Sequence, residues 1–235
     1  ASKSTTEERS FKAAHVESKS QIDHKVASRG GLDRISYNRW NQAKGHIQAH
    51  ANEQASLAIY GSPIDSTLKT PGFFDIYSTL SVSEETSKQI VDGGGTASNN
   101  TSILLVNWGE SSVFGIYPEG TTMGLTRTDR SEGNKQVQIA ALDSTGAAGS
   151  FWGYEEQFEF DHGLVVKDYR QAGRICNIDV TKLKSGVDAA DLIDMMISLD
   201  YLIHNPENGM GVWYVNRTLQ AFLHKQSLTK VGAGS

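Results

Sequence analysis

Tyr154, Glu156, Phe158 and Phe160 fall on one side of a period-two pattern, and Glu155, Gln157, Glu159 and Asp161 fall on the other. That alternation predicts a half-buried strand, mixed rather than clean because Glu156 stands among the aromatics. Asp161-His162-Gly163 then reads as a turn, by residue type, before the apolar Leu164-Val165-Val166. A third strand-like block, residues 169–178, carries Arg170, Arg174 and Cys176.

Upstream, residues 1–15 are polar and pattern-poor and read as a mobile arm. Residues 16–26 alternate weakly, as in a short strand, and 28–31 form a turn. A long helix follows, with Asp33 as its cap. Leu32, Ile35, Trp40, Ala43, Ile47, Ala51, Ala55 and Ala58 recur mostly three or four apart, until Gly61-Ser62-Pro63 stops the pattern. Such a helix is roughly 40 Å long. Gly45 in its middle costs about 1 kcal/mol and marks a bend or a close packing contact. Phe73, Phe74 and Tyr77 anchor a loop, residues 84–91 suggest a short helix, and 92–102 read as a flexible polar loop. Residues 103–108 form a continuous apolar run, the mark of a strand buried on both faces.

Strands are predicted at 113–117 and 137–142, and the polar stretches 121–134 and 143–150 read as loops. Residues 186–204 form an amphipathic helix, capped by Asp188 or Asp191, with Leu192, Met195, Met196, Leu199, Leu202 and Ile203 as its stripe. A strand at 211–215 leads to Asn216, which caps a last helix through Leu219, Phe222 and Leu223. Residues 228–235 read as a frayed tail. Strands are not separated by regular helices, so the fold class is α+β with a mostly antiparallel central sheet.

Composition narrows the function. The net charge of −5, with no Lys/Arg run, excludes tight sequence-independent nucleic-acid binding. The single cysteine excludes an internal disulfide framework and a multi-cysteine metal site. No apolar run approaches the ~18 residues of a membrane span, and the polar start does not read as a secretory signal.

Chemistry-bearing motifs are weak. Gly93-Gly94-Gly95 lacks the Gly-Lys-Ser/Thr of a phosphate loop. His46 and His50, four apart on the long helix with Glu53 beyond, lack the His-Glu-x-x-His pattern and read as a packing or solvated face. Asp161-His162 with Asp168 shows no matched nucleophile, and Cys176 between Ile175 and Ile178 reads as a small core residue. No catalytic residue, cofactor or metal is assigned. The acidic Glu155, Glu156, Glu159 and Asp161 and the basic Arg127, Arg130, Arg170 and Arg174 read equally as ordinary surface and as complementary charge between neighbouring copies.

The wording of several strings carries a resemblance. They are Val106-Asn107-Trp108-Gly109, the stretch Gly115 to Leu125, Tyr154 to Phe158, Gly163 to Arg170, Arg174 to Asp179 and Trp213-Tyr214-Val215-Asn216-Arg217. Together they resemble the major capsid proteins of tailed bacteriophages, in the epsilon15-like podoviral branch. The resemblance implies the Hong Kong 97-type fold: an extended loop, a long spine helix in a peripheral domain, and an axial domain with a central sheet. On that mapping residues 1–64 are the end of the extended loop and the spine helix, 65–227 the axial domain, and 228–235 the tail. Family members extend further on both sides, so the expectation is a chain truncated at both ends.

The implied function is structural: an icosahedral shell of pentamers and hexamers around double-stranded DNA, bound without sequence specificity, with decoration or scaffolding proteins as further partners. It implies location in the virion, after assembly in the bacterial host's cytoplasm, with no membrane. Candidate inter-subunit contacts are Arg127, Asp129, Arg130, Asp143 and Ser144, in the two polar loops. The rivals are an encapsulin-like cellular shell protein and a hydrolase or transferase.

Overall fold

The computed structural model describes residues 11–66, 68–121, 124–132, 135–142 and 146–232. The elements in chain order are β1 (Ala14–Asp23), α1 (His24–Ala27), α2 (Ile35–Tyr60), α3 (Phe73–Ile76), β2 (Ile90–Asp92), β3 (Asn100–Trp108), β4 (Val113–Ile116) and β5 (Leu125–Asp129). They continue as β6 (Val137–Leu142), β7 (Ala148–Val166), β8 (Ala172–Asp179), α4 (Val180–Ser185), α5 (Leu192–Asp200), β9 (Met210–Tyr214) and α6 (Arg217–Gly232). The chain divides into two compact units, one of residues 1–70 with 116–163, the other of 71–115 with 164–235. This differs from the expected division at residue 64. Residues 116–163 join the first unit because β5, β6 and most of β7 build one sheet with β1.

In the first unit β7 is the central strand. β1 runs antiparallel along one edge, from Ala14 opposite His162 to Asp23 opposite Gly153. β5 and then β6 pair antiparallel along the other edge. Side chains of a strand alternate between faces, so Val16, Ser18, Ser20 and Ile22 share a face with Phe160, Phe158, Glu156 and Tyr154 across from them. Tyr154 and Phe158 are fully buried there. His15, Glu17, Lys19 and Gln21 take the other face with Asp161, Glu159, Gln157 and Glu155. The predicted alternation is therefore real, but the predicted turn at Asp161-His162-Gly163 is not. Those residues continue β7, held in register by β1.

α2 packs on β1. It is one unbroken helix of 26 residues. Asp33 does not cap it. Leu32–Arg34 form a 3-10 turn, and the capping position, Arg34, supplies no side-chain bond. The buried face also differs from the predicted stripe: it is Ile35, Arg39, Ala43, His50 and Leu57, while Leu32 and Trp40 are exposed. The difference arises because two buried positions are polar and find partners. Gly45 has open space where a side chain would stand, so it marks no close contact. Gly61 does: an added Cβ would lie 2.3 Å from the Thr70 carbonyl and 2.4 Å from that of Leu57.

In the second unit the sheet order is β9-β3-β8-β2. The β9 and β8 neighbours of β3 are antiparallel, and β2 adds parallel to β8. Ile103 to Asn107 are all buried, as the apolar run of β3 required. Ile103, Leu105, Ile175 and Ile178 form the core with Leu183 of α4, Leu192 and Leu199 of α5, and Leu219 of α6. α4 was not predicted. Its cap is Asp179, whose carboxylate accepts from the Thr181 and Lys182 amides, and Gly186, taken for a helix start, is its left-handed C-cap. Asp191 caps α5 and Asn216 caps α6, accepting from Leu219 N at 2.8 Å. α6 continues through Gly232, past the predicted fray point.

The predicted loops shrink in the same way. Residues 125–129 are strand β5 and 148–150 open β7, so only parts of 121–134 and 143–150 are loop. The glycine triplet lies on β8: Gly93 N donates to Cys176 O and Gly95 N to Asn177 O, both at 2.8 Å. Gly94 has φ +68°.

Candidate functional site

β5 and β7 bring the predicted contact residues together. Register places Asp129 opposite Glu156 and Arg127 opposite Phe158. Arg127 donates through Nε and Nη2 to the two carboxylate oxygens of Glu156, at 2.9 and 2.8 Å. This forked geometry is the strongest form of the Arg–carboxylate pair, and its hydrogen bonds raise the Arg127 pKa. From α2, Arg39 Nη2 reaches Asp129 Oδ1 at 2.7 Å and Glu156 Oε1 at 2.9 Å. The Arg39 guanidinium also lies over the Tyr154 ring, 5.2 Å from its centre. Arg127 lies over Trp40 at 5.8 Å. Beyond β5, Arg130 Nε donates to Gln157 Oε1 at 2.6 Å. Ser131 ties the strand end down, its amide donating to Asp129 Oδ1 at 2.9 Å and its hydroxyl accepting from Glu155 N at 2.7 Å.

Three of the five predicted contact residues, Arg127, Asp129 and Arg130, thus have partners within their own unit. Asp143 and Ser144 lie outside the described residues. Sequence reasoning missed Arg39, which joins two carboxylates to the helix. Its signal was a charged residue in phase with Ile35 and Ala43, visible only once the helix face was known.

Two histidines of α2 share one hydroxyl. Ser18 Oγ of β1 is 2.8 Å from His50 Nε2 and 3.3 Å from His46 Nδ1. His46 also stacks on Phe158, with ring centres 6.1 Å apart and planes 9° apart. The pair packs against β1 and β7, one of the two roles the sequence left open for it. Burial, aided by the neighbouring His46, lowers the His50 pKa. On the solvent face of the same sheet, His15, Glu17 and Glu159 bring their ligating atoms within 4.8 Å of one another. His15 Nδ1 is 2.7 Å from Asp161.

In the second unit Arg170 and Arg174 are also committed. Arg170 forks onto Asp168, with a closest distance of 2.7 Å. Its hydrogen bonds draw the Asp168 pKa down. Arg174 lies 3.9 Å over Phe74 and donates to Tyr77 O and Ser102 Oγ. Tyr77 Oη donates to Tyr169 O at 2.6 Å, and burial pushes the Tyr77 phenol up. Cys176 is buried, which raises its thiol pKa. A thiol in that state is a packing group rather than a nucleophile.

The charged groups described in both units join strands and helices, and the long helix together with the mixed sheet defines the class: an α+β protein with a fold of the Hong Kong 97 type. The chain belongs to the family described as major capsid protein GP7, which it matches over residues 1–234. Among solved structures it is similar to a chain in the near-atomic-resolution structure of bacteriophage epsilon15 derived from cryo-EM and modelling. The two are 29% identical with a TM-score of 0.66, over 92% of this chain and 62% of that one. The chain thus spans less than two thirds of that relative's length. No curated protein matches. Neither the encapsulin-like reading nor the enzyme reading finds support in these likenesses.

Proposed function

We propose that this chain is the structural subunit of a phage capsid, tiling with copies of itself into pentamers and hexamers of an icosahedral shell around double-stranded DNA. The match of residues 1–234 to a major capsid protein family carries the reading. The first compact unit, with α2 as its spine, corresponds to the peripheral domain, and the second, with the mixed sheet, to the axial domain. Residues 116–163 are then a return of the chain to the peripheral domain. The net charge of −5 suits a container that does not grip a polyanion.

The role is non-enzymatic, the location is the virion after assembly in the bacterial host, and decoration or scaffolding proteins are its further partners. Arg127, Asp129 and Arg130 keep a place in this reading as the rim of a subunit contact. Their internal pairs fix β5, and the exposed part of Arg127 remains available to a neighbour. Electron microscopy of the purified protein tests the reading. Regular shells, rings or capsomers support it; a strict monomer at every concentration overturns it.

A further inference from the structure

α5 and α6 each bury one face and expose the other. On α5, Leu192 and Leu199 enter the core, while Ile197 is 52% exposed and Tyr201, which caps the helix C-terminus, is 86% exposed. On α6, Leu219 is buried, Phe222 and Leu223 pack on the core, and Leu228 is 61% exposed. At about 100° per residue, Asp194, Ile197 and Tyr201 fall on the side of α5 opposite Leu192. Arg217, His224 and Leu228 fall on the side of α6 opposite Leu219 in the same way. α5 with its cap thus presents two large apolar side chains and α6 presents one, Leu228, each beside charge of one sign. Asp194 and Asp200 are exposed on α5, and Arg217 and Lys225 on α6.

Two of these charges oppose their own helix. Asp200 closes α5, at the end where the helix carries partial negative charge, and no basic residue stands in that last turn. Arg217 opens α6, at the end that carries partial positive charge, and no acidic residue stands in that first turn. A local conflict of this kind is the mark of a residue selected for something outside its element.

We propose that the outer face of α5 on one copy docks on the outer face of α6 on the next. The inference rests on the capsid-subunit reading and adds to it the surface by which copies join. With the two helices side by side and parallel, Tyr201 meets Leu228 with Ile197 one turn before it, and Asp194 and Asp200 come beside Arg217 and Lys225. Apolar contact supplies the association, and the opposed charges set register. Because the two faces differ, the contact is head to tail and closes into a ring when its rotation divides a full turn.

Charge reversal tests it by sedimentation velocity, with circular dichroism confirming the fold. The unaltered chain forms ring-sized species. Asp194→Lys with Asp200→Lys weakens association at least tenfold, and so does Arg217→Glu with Lys225→Glu. Mixed one to one, the two variants recover association, but only as alternating rings with an even number of members. All four changes in one chain restore rings of every size. If the unaltered chain forms rings and either reversed pair leaves them intact, the docking is overturned while the capsid reading stands. If the unaltered chain stays monomeric and forms no capsomer, the capsid reading falls, and the docking with it.

Discussion

Arg39 Nη2 on α2 stands 2.9 Å from Glu156 Oε1 on β7, with only 5% and 3% of the two side chains exposed. Glu156 also receives the fork of Arg127, and Arg39 also holds Asp129. Two cations therefore balance two anions, and one carboxylate is the hub. Deleting the hub leaves Arg39 with Asp129 beside the half-exposed Arg127 guanidinium. Glu156→Ala is expected to cost about 2–3 kcal/mol, the loss of charge-assisted hydrogen bonds and less than a fully stranded buried charge would cost. Replacing both, Arg39→Met with Glu156→Leu, costs less than Glu156→Ala alone. Urea midpoints at unchanged slope measure both. A Glu156→Ala loss under 1 kcal/mol would show that the network does not hold α2 to the sheet.

Gly45 gives the opposite sign. It sits mid-helix with nothing within 4 Å of an added Cβ. Gly45→Ala is expected to stabilise by about 0.5–1 kcal/mol, by lowering the entropy of the unfolded chain and improving helix propensity. A raised thermal midpoint checks it, and a lowered one contradicts the open space.

The contrast between Glu156 and Gly45 shows what the sequence makes legible. Alternation along β7 was readable because a strand with one wet face must alternate, and Glu156 was visible as the exception. What the exception does was not readable, since Arg39 lies 117 positions earlier and no periodicity joins them. The same polar substitution hid the buried face of α2: Arg39 and His50 stand where an apolar residue would announce a core, and apolarity pointed to Trp40 instead. The misread turn at Asp161-His162-Gly163 has the converse cause. Turn-forming residue types were present, but pairing with β1 overrides local preference. α4 escaped because six residues are too few for a helical stripe. Arg127, Asp129 and Arg130 stood out in the sequence as charges in a polar stretch read as loop, but the strand they enter and their partners on β7 and α2 came only with the sheet register.

The glycine triplet separates two kinds of need. A Cβ at Gly93 would lie 2.8 Å from the Cys176 carbonyl oxygen, and one at Gly95 would lie 2.4 Å from that of Asn177. Gly94 has room but a left-handed backbone. Gly94→Ala is expected to cost about 1–2 kcal/mol from that conformation alone. Gly95→Ala must instead push the loop off β8 and break the Gly95–Asn177 bond, so its loss is the larger of the two. Amide hydrogen exchange at Gly93 and Gly95 is expected to accelerate in Gly95→Ala and to stay near its original rate in Gly94→Ala. Equal acceleration in both variants would refute the distinction.

His162 makes the first unit sensitive to acid. Its ring is buried beside Phe160, and neither nitrogen has a hydrogen-bond partner. Burial lowers its pKa from 6.5, and the charges of Glu53 and Asp161 only partly oppose that shift. His50 is lowered too, by burial and by His46. Between the lowered folded value and 6.5 the unfolded chain binds more protons than the folded one, so stability rises with pH there. The stabilisation is whole above pH 6.5 and is lost as the pH falls below it. Urea midpoints are expected to drop between pH 7 and pH 5. His162→Leu removes one titrating group and two unsatisfied buried nitrogens, so it is expected to raise stability by about 1 kcal/mol or more below pH 6 and to flatten the pH slope. A slope unchanged by His162→Leu would assign the acid sensitivity to His50 instead.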